Sequence, residues 1–400
     1  MSQPLVPGSP AEAGLDADRI ARTHGLCAGW VKDGHTPSLC VCVARRGVIV
    51  LHQAWGVIGP EHDSAPLQLD TLFPIASVTK PVTATLIMQL VEDGQLGLNR
   101  PVQDYLPELS GEHKDEILVH HLLTHTSGIP WHTDAPMLIH AARRIEAGLD
   151  LAACPDTQHP DIHRLIEIFW DAPLTSRPGE VMTYSNHNYV LLGEIVRRLS
   201  GQSIHDLARK RVFEPLGMTD SHYVTSDESL PRRVQRPADL PMAAGLADMP
   251  GIDTPEMHRL PNAGGGMTST PLDMVRFGQM ILNGGRLGEA RVLSSAGVAA
   301  MTRDQIPGTS SLLFGARFAH GSWGYGWAVE SPTKWPYFNG SLSTLGTLSH
   351  PGAGGAMFWI DRERELVGAY FEVTRNISER MEFKWNFDVF QNVVTAAVED

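Results

Sequence analysis

Strand-patterned segments lie at both ends of this chain, and helix-patterned segments fill its middle. Residues 38–43 and 48–54 flank the turn Arg45-Arg46-Gly47 and read as an N-terminal hairpin. Towards the other end, residues 324–329, 343–349, 356–361 and 366–372 read as strands, and residues 377–398 read as a closing helix. Residues 15–31 carry apolar side chains at helical spacing and end at Gly34. Strands at both termini around a helical middle suggest one sheet built from both ends. That is an α+β arrangement with a helical lobe inserted. We expect residues 1–76 and 262–400 to form the sheet-bearing α/β lobe. Residues 77–261 would form a mainly helical lobe, the two making one integrated unit.

Composition sets the remaining bounds. A hydrophobic fraction of 42% against 19% charged residues supplies a large core and excludes global disorder. No apolar run reaches the ~18 residues of a membrane span. A net charge of −13 with no basic tract argues against nucleic acid as a partner. The first residues, MSQPLVPGSPAEAG, hold no apolar stretch of the kind a secretory signal needs. The four cysteines, Cys27, Cys40, Cys42 and Cys154, form no metal or disulfide framework. A cytoplasmic protein with reduced thiols is expected.

Six lysines and 25 serines in 400 residues give a chance expectation of roughly 0.4 Ser-x-x-Lys matches, so one match alone says little. There are two, Ser77-Val78-Thr79-Lys80 and Ser331-Pro332-Thr333-Lys334. The first opens an apolar helical run over residues 82–91, where Ser77 would be a helix N-cap and Lys80 would share its face. The second is hemmed in by Pro332, Trp335 and Pro336, with no helix after it. A serine hydroxyl becomes a good nucleophile once a base takes its proton, and a lysine can do so where burial lowers its pKa. The plainer reading of the first match is an ordinary N-cap followed by a solvated lysine.

Two further segments can serve the same chemistry. Tyr184 and Asn186 lie two apart in an extended piece after the turn at Pro178-Gly179, which points them to one side. A tyrosine beside an ammonium can act as phenolate or proton shuttle, and an asparagine offers donors and acceptors to a substrate. Taken singly, Tyr184 reads as a half-buried aromatic. The segment from Thr347 to Gly355 contains His350-Pro351-Gly352-Ala353 and leads into a strand, where a free backbone N–H could stabilise an oxyanion. Taken singly, it is a Gly-rich hairpin turn.

In order and context these segments resemble the serine β-lactamase and penicillin-binding-protein superfamily, in its class C β-lactamase-like branch, and within that the family VIII carboxylesterases. The segments that carry the resemblance include Ser77-Val78-Thr79-Lys80, Leu122-Leu123-Thr124-His125-Thr126-Ser127-Gly128, Tyr184-Ser185-Asn186 and Gly264-Gly265-Gly266-Met267-Thr268. The resemblance implies a β-lactamase/transpeptidase-like fold, Ser77 as acylated nucleophile, and Lys80 and Tyr184 as proton-transfer partners. It also implies the N–H groups of Ser77 and Ala353 as an oxyanion hole. Asn186, His350, Gly352 and Trp131 would contact the substrate. One departure stands out: the superfamily's third motif is Lys-Thr/Ser-Gly, and here His350-Pro351-Gly352 takes its place.

The expected function is therefore hydrolysis of short-chain carboxylic esters through an acyl-enzyme, with a small-molecule ester as partner and no cofactor or metal. A weak β-lactamase or D-amino-acid peptidase or amidase is the second enzymatic reading, and a penicillin-recognising scaffold is the non-enzymatic one. His125 is expected to organise a loop. The pairs His121/His125 and His159/His163 lack a His-Glu-x-x-His pattern, and Gly264–Gly266 lacks the lysine of a phosphate loop. No Gly-x-Ser-x-Gly elbow occurs.

Overall fold

The computed structural model describes every residue except 1–3, 62, 132–133, 149–150, 237–253, 255–257, 314–315, 334–337, 375–382 and 400. The main sheet has seven strands drawn from both chain ends. From the N-terminal part come β1 (Val6–Pro7), β2 (Ser38–Arg45) and β3 (Val48–Gly56). Two short strands, β4 (Val181–Thr183) and β5 (Ser310–Leu313), pair in parallel outside the main sheet. The C-terminal part supplies β6 (Ala328–Val329), β7 (Leu348–Gly352), β8 (Ala356–Asp361) and β9 (Leu366–Glu372). The order across the main sheet is β1-β3-β2-β9-β8-β7-β6. Every neighbouring pair is antiparallel except β1 with β3. Strand β2 joins β9 across more than 300 residues, with Leu39 opposite Glu372 and Arg45 opposite Leu366. This is the α+β arrangement expected from the sequence.

Alternation along β2 explains how the sheet is covered. Leu39, Val41 and Val43 point to one face, where they pack with Trp359, Tyr370, Phe387 and Phe390. Helices α1 (Ala17–Lys32) and α6 (Phe383–Thr395) lie there. Cys40, Cys42 and Ala44 point to the other face and join the main core. That core is shared by α2 (Thr79–Glu92), α3 (Pro160–Phe169), α4 (Asn186–Ser200) and α5 (Pro271–Leu282), of which α5 packs directly on the sheet. With both faces covered, β2 is buried from end to end, and so its sequence reads as a near-continuous apolar run.

Two expected strands are displaced. Residues 343–347 form a turn in which Thr344 Oγ1 donates to Asp361 Oδ1 at 2.6 Å, so the strand starts only at Leu348. Residues 324–327 also turn, since Gly324 N–H donates to the Trp327 carbonyl and Gly326 takes a φ of +83°. Only Ala328–Val329 of that segment is extended. The closing helix begins at Phe383, and residues 377–382 of its expected span lie outside the described residues. Among the described residues no helix is long and apolar enough to cross a membrane.

Candidate active site

Ser77 occupies a 3-10 turn, Ala76–Val78, that runs directly into α2. The expected N-cap role is not what the structure shows: Val78 holds the cap position, with no side-chain capping bond. The reason lies one residue earlier, at Ala76, whose φ of +44° is a region L-residues seldom visit. That local strain tightens the entry to the helix and places Ser77 within the turn. Ser77 remains partly exposed, whereas Thr79 to Leu90 of α2 are all buried.

Lys80 is therefore carried into the interior with no exposed surface. Its Nζ lies 2.9 Å from Ser77 Oγ, 2.7 Å from Asn186 Oδ1 and 2.6 Å from the Gly264 carbonyl oxygen. Burial pushes the Lys80 pKa well below the usual lysine range. A neutral amine has two N–H groups and one lone pair. With both N–H groups donated to Asn186 Oδ1 and Gly264 O, the lone pair is left for the Ser77 hydroxyl.

Tyr184 follows β4 and closes the site from the other side. Its ring centroid is 4.9 Å from Lys80 Nζ, and its hydroxyl lies beside the Ser77 side chain. Burial pushes its pKa above the ordinary tyrosine value, which keeps the phenol protonated. Four aromatic neighbours fix the ring, with centroids at 4.4 Å (His125), 5.4 Å (Trp131), 6.0 Å (Trp323) and 6.1 Å (His350). Trp131 is half-buried and forms a wall against Tyr184. Asn186 is the first residue of α4, and its Oδ1 is committed to Lys80.

The end of β7 forms the third side. Gly352 lies so close to the nucleophile turn that a Cβ there would meet the Ile75 carbonyl oxygen at 2.2 Å. Ala353 begins the turn to β8, and among the described residues its N–H enters no backbone hydrogen bond outside helices and strands. The Ser77 N–H sits in the first turn of a helical segment, where amides lack an intrahelical acceptor. His350 has no exposed surface; its Nδ1 donates to the Pro351 carbonyl at 2.8 Å, and its ring packs 5.6 Å from Trp323. Burial and the neighbouring Lys80 push its pKa down to about 3, so the imidazole is neutral.

Ser77, Lys80, Tyr184, Asn186 and the β7 end thus converge from residues far apart in sequence. The second Ser-x-x-Lys does not join them. Ser331 Oγ donates to the Thr333 carbonyl at the surface, and Lys334 lies outside the described residues. His125 is fully buried, and its Nδ1 accepts from Ser185 N–H at 3.2 Å beside Tyr184. His121 Nδ1 likewise accepts from Leu118 N–H, and His159 Nδ1 from Asp161 N–H. These histidines serve the backbone. Among the described residues no group of three or more His, Cys, Asp or Glu side chains could hold a metal ion.

Sequence reasoning missed Gly264, whose carbonyl orients Lys80. The available signal is the run Gly264-Gly265-Gly266, which belongs to the segments carrying the family resemblance but does not by itself single out the Gly264 carbonyl. Its backbone passes so close to others that a Cβ on Gly266 would meet the Leu260 carbonyl oxygen at 2.6 Å.

Comparison with known proteins gives the chain a family and a shared fold. The chain is 33% identical over 329 residues to protein Rv1367c of Mycobacterium tuberculosis, covering 76% of this chain and 78% of that one. It is 29% identical over 381 residues to esterase EstB of Burkholderia gladioli, covering 88% and 90%. The crystal structure of a family VIII carboxylesterase superposes with a TM-score of 0.72 at 20% identity, covering 95% of this chain and 98% of that one, which shows a shared β-lactamase/transpeptidase-like fold. The profile of the Beta-lactamase family matches residues 20–385, and the chain therefore belongs to that family, within the serine β-lactamase and penicillin-binding-protein superfamily.

Proposed function

We propose that this protein is a serine hydrolase that cleaves small, neutral carboxylic esters through an acyl-enzyme on Ser77. The observation that carries the reading is the desolvated Lys80 amine at 2.9 Å from Ser77 Oγ, with the Tyr184 hydroxyl beside it. Neutral Lys80 takes the Ser77 proton as Oγ bonds to the ester carbonyl carbon. The oxygen of the tetrahedral intermediate receives hydrogen bonds from the Ser77 and Ala353 N–H groups. As the intermediate collapses, Tyr184 donates its proton to the departing alkoxide oxygen and recovers one from the Lys80 ammonium. Water then attacks the acyl-enzyme with the same groups as base, and Ser77 regains its proton. A protonated phenol suits Tyr184 to the donor step, and Lys80 is the base.

The choice of neutral esters rests on the third motif. Penicillins and D-alanyl peptides carry a carboxylate near the scissile bond, and the superfamily's Lys-Thr/Ser-Gly offers it a cation and a hydroxyl. Here His350 is neutral and buried, and Pro351 has neither hydroxyl nor N–H. A carboxylate brought here would lose hydration without a compensating partner. The esterase name of the Burkholderia relative points the same way.

The test is turnover of p-nitrophenyl acetate and butyrate beside nitrocefin, with mass spectrometry after an aryl phosphonate. Ester turnover and a single adduct on the peptide holding Ser77 are expected. Ser77→Ala should abolish turnover, and Ser331→Ala should leave it intact. An adduct elsewhere, or nitrocefin cleaved with a kcat/KM equal to that of the best ester, would overturn the proposal.

A further inference from the structure

The turn that carries the Ala353 N–H is built from residues that give it little stiffness of its own. Gly354 and Gly355 adopt φ values of +95° and +109°, and neither has a side chain to pack. On one side β7 is fixed, because Gly352 abuts the Ile75 carbonyl. Beyond the turn, β9 is fixed as well, since Val373 N–H donates to the Ser38 carbonyl. Between these anchors the glycines must be held by something else.

Arg236 supplies that hold. Its Nη2 donates to the Gly354 carbonyl at 2.7 Å, and its Nη1 donates to the Thr374 carbonyl at 3.1 Å. One planar guanidinium thus ties the flexible turn to the anchored end of β9. The contact is charge-assisted at both carbonyls and fixes direction as well as distance. Two backbone bonds complete the brace, Thr374 N–H to Gly354 O at 3.2 Å and Glu372 N–H to Gly355 O at 3.0 Å. The Ala353 N–H lies two peptide units before the carbonyl that Arg236 holds.

We infer that Arg236 is a positioning residue, which acts through the Gly354 carbonyl to hold the Ala353 N–H in line with the oxyanion. The inference rests on the acyl-enzyme reading of Ser77. An oxyanion donor that is removed costs about 10²–10³ in kcat. One that is loosened and still present costs less, so Arg236→Ala should lower kcat about 10- to 100-fold with KM changed less than about 3-fold. A merely structural role would not give that split.

Three readouts test it. The affinity for an aryl boronic acid, which forms a tetrahedral adduct on a serine, should fall by the same factor as kcat/KM. Millimolar methylguanidinium should restore part of the kcat of Arg236→Ala and leave the wild type unchanged. Arg236→Lys keeps a positive charge near Glu372, whose carboxyl feels the guanidinium, but its single ammonium cannot span both carbonyls. It should fold with a near-wild-type Tm and still show the low kcat, and it remains informative if the alanine variant fails to fold. Wild-type kcat in either variant, or unchanged boronate affinity alongside a lowered kcat, would overturn the inference. A wild type inert to esters that still binds the boronate would defeat the esterase reading instead, and the role of Arg236 would then be read from boronate affinity alone.

Discussion

The contact between Gly352 and the nucleophile turn allows a perturbation that touches no reacting group. In Gly352→Ala the new Cβ would lie 2.2 Å from the Ile75 carbonyl oxygen and 3.1 Å from its carbon. Ordinary contact needs about 3.4 Å, so the two backbones must part by about 1.2 Å. Neither can yield cheaply. Strand β7 is paired with β8 along five residue pairs, and Ile75 N–H is bonded to the Met267 carbonyl. The backbone of Gly352 is not in the left-handed region, so the effect is steric alone. Overpacking of this kind costs about 1–3 kcal/mol, which for a chain this large lowers Tm by roughly 1–4 °C. The larger effect is on rate. The displaced gap lies between Ser77 and the turn bearing Ala353, and a misplacement of about 1 Å costs on the order of 10² in kcat. Steady-state hydrolysis of p-nitrophenyl butyrate together with a thermal melt measures both. A variant with wild-type kcat and a normal melt would show that β7 does not set the position of the nucleophile turn.

The remaining expectations concern proton transfer and acid stability. Lys80→Ala and Tyr184→Phe should each lower kcat by about 10²–10⁴, and because both act on one proton the double variant should lose far less than the product; near-wild-type turnover in Tyr184→Phe would move the donor role elsewhere. His350 should give a stability signature, because its pKa is near 6.5 when unfolded and about 3 in the fold. Between those values the unfolded chain binds the extra proton, so stability is lost as pH falls below about 6.5. His350→Phe should therefore lose less stability than the wild type between pH 7 and 5, as read from urea midpoints. Glu372, raised by burial to about 8, pulls the opposite way in both proteins and cancels in the comparison. Equal losses in the two would show that His350 is protonated in the fold.

The sequence by itself determined the sheet's origin in both chain ends, because the apolar runs at residues 38–54 and 356–372 are of strand length and interrupted by turn residues. It also distinguished the two Ser-x-x-Lys segments, since Pro332 and Pro336 deny the second one a helix. The family resemblance, carried by motifs spread along the chain, named Ser77, Lys80, Tyr184 and Ala353. Tertiary structure decided what each can do. Local pattern placed Ser77 at a helix N-cap, yet the strained Ala76 and contact with Gly352 put it in a 3-10 turn. A lysine's ordinary pKa follows from its own chemistry. Its depression here comes from the burial of α2, while two acceptors from residues 106 and 184 positions away fix the direction of its N–H groups. His350 read as an imidazole facing a substrate, and packing against Trp323 and Tyr184 made it a neutral, enclosed ring. The glycine run marked Gly264 without showing its role, and Arg236 gave no local signal, because a carbonyl that orients an amine and a guanidinium that braces a turn act on partners chosen by the fold. Periodicity reports which face of an element is buried, but only the packed molecule fixes which groups share that interior, and with it their protonation and direction.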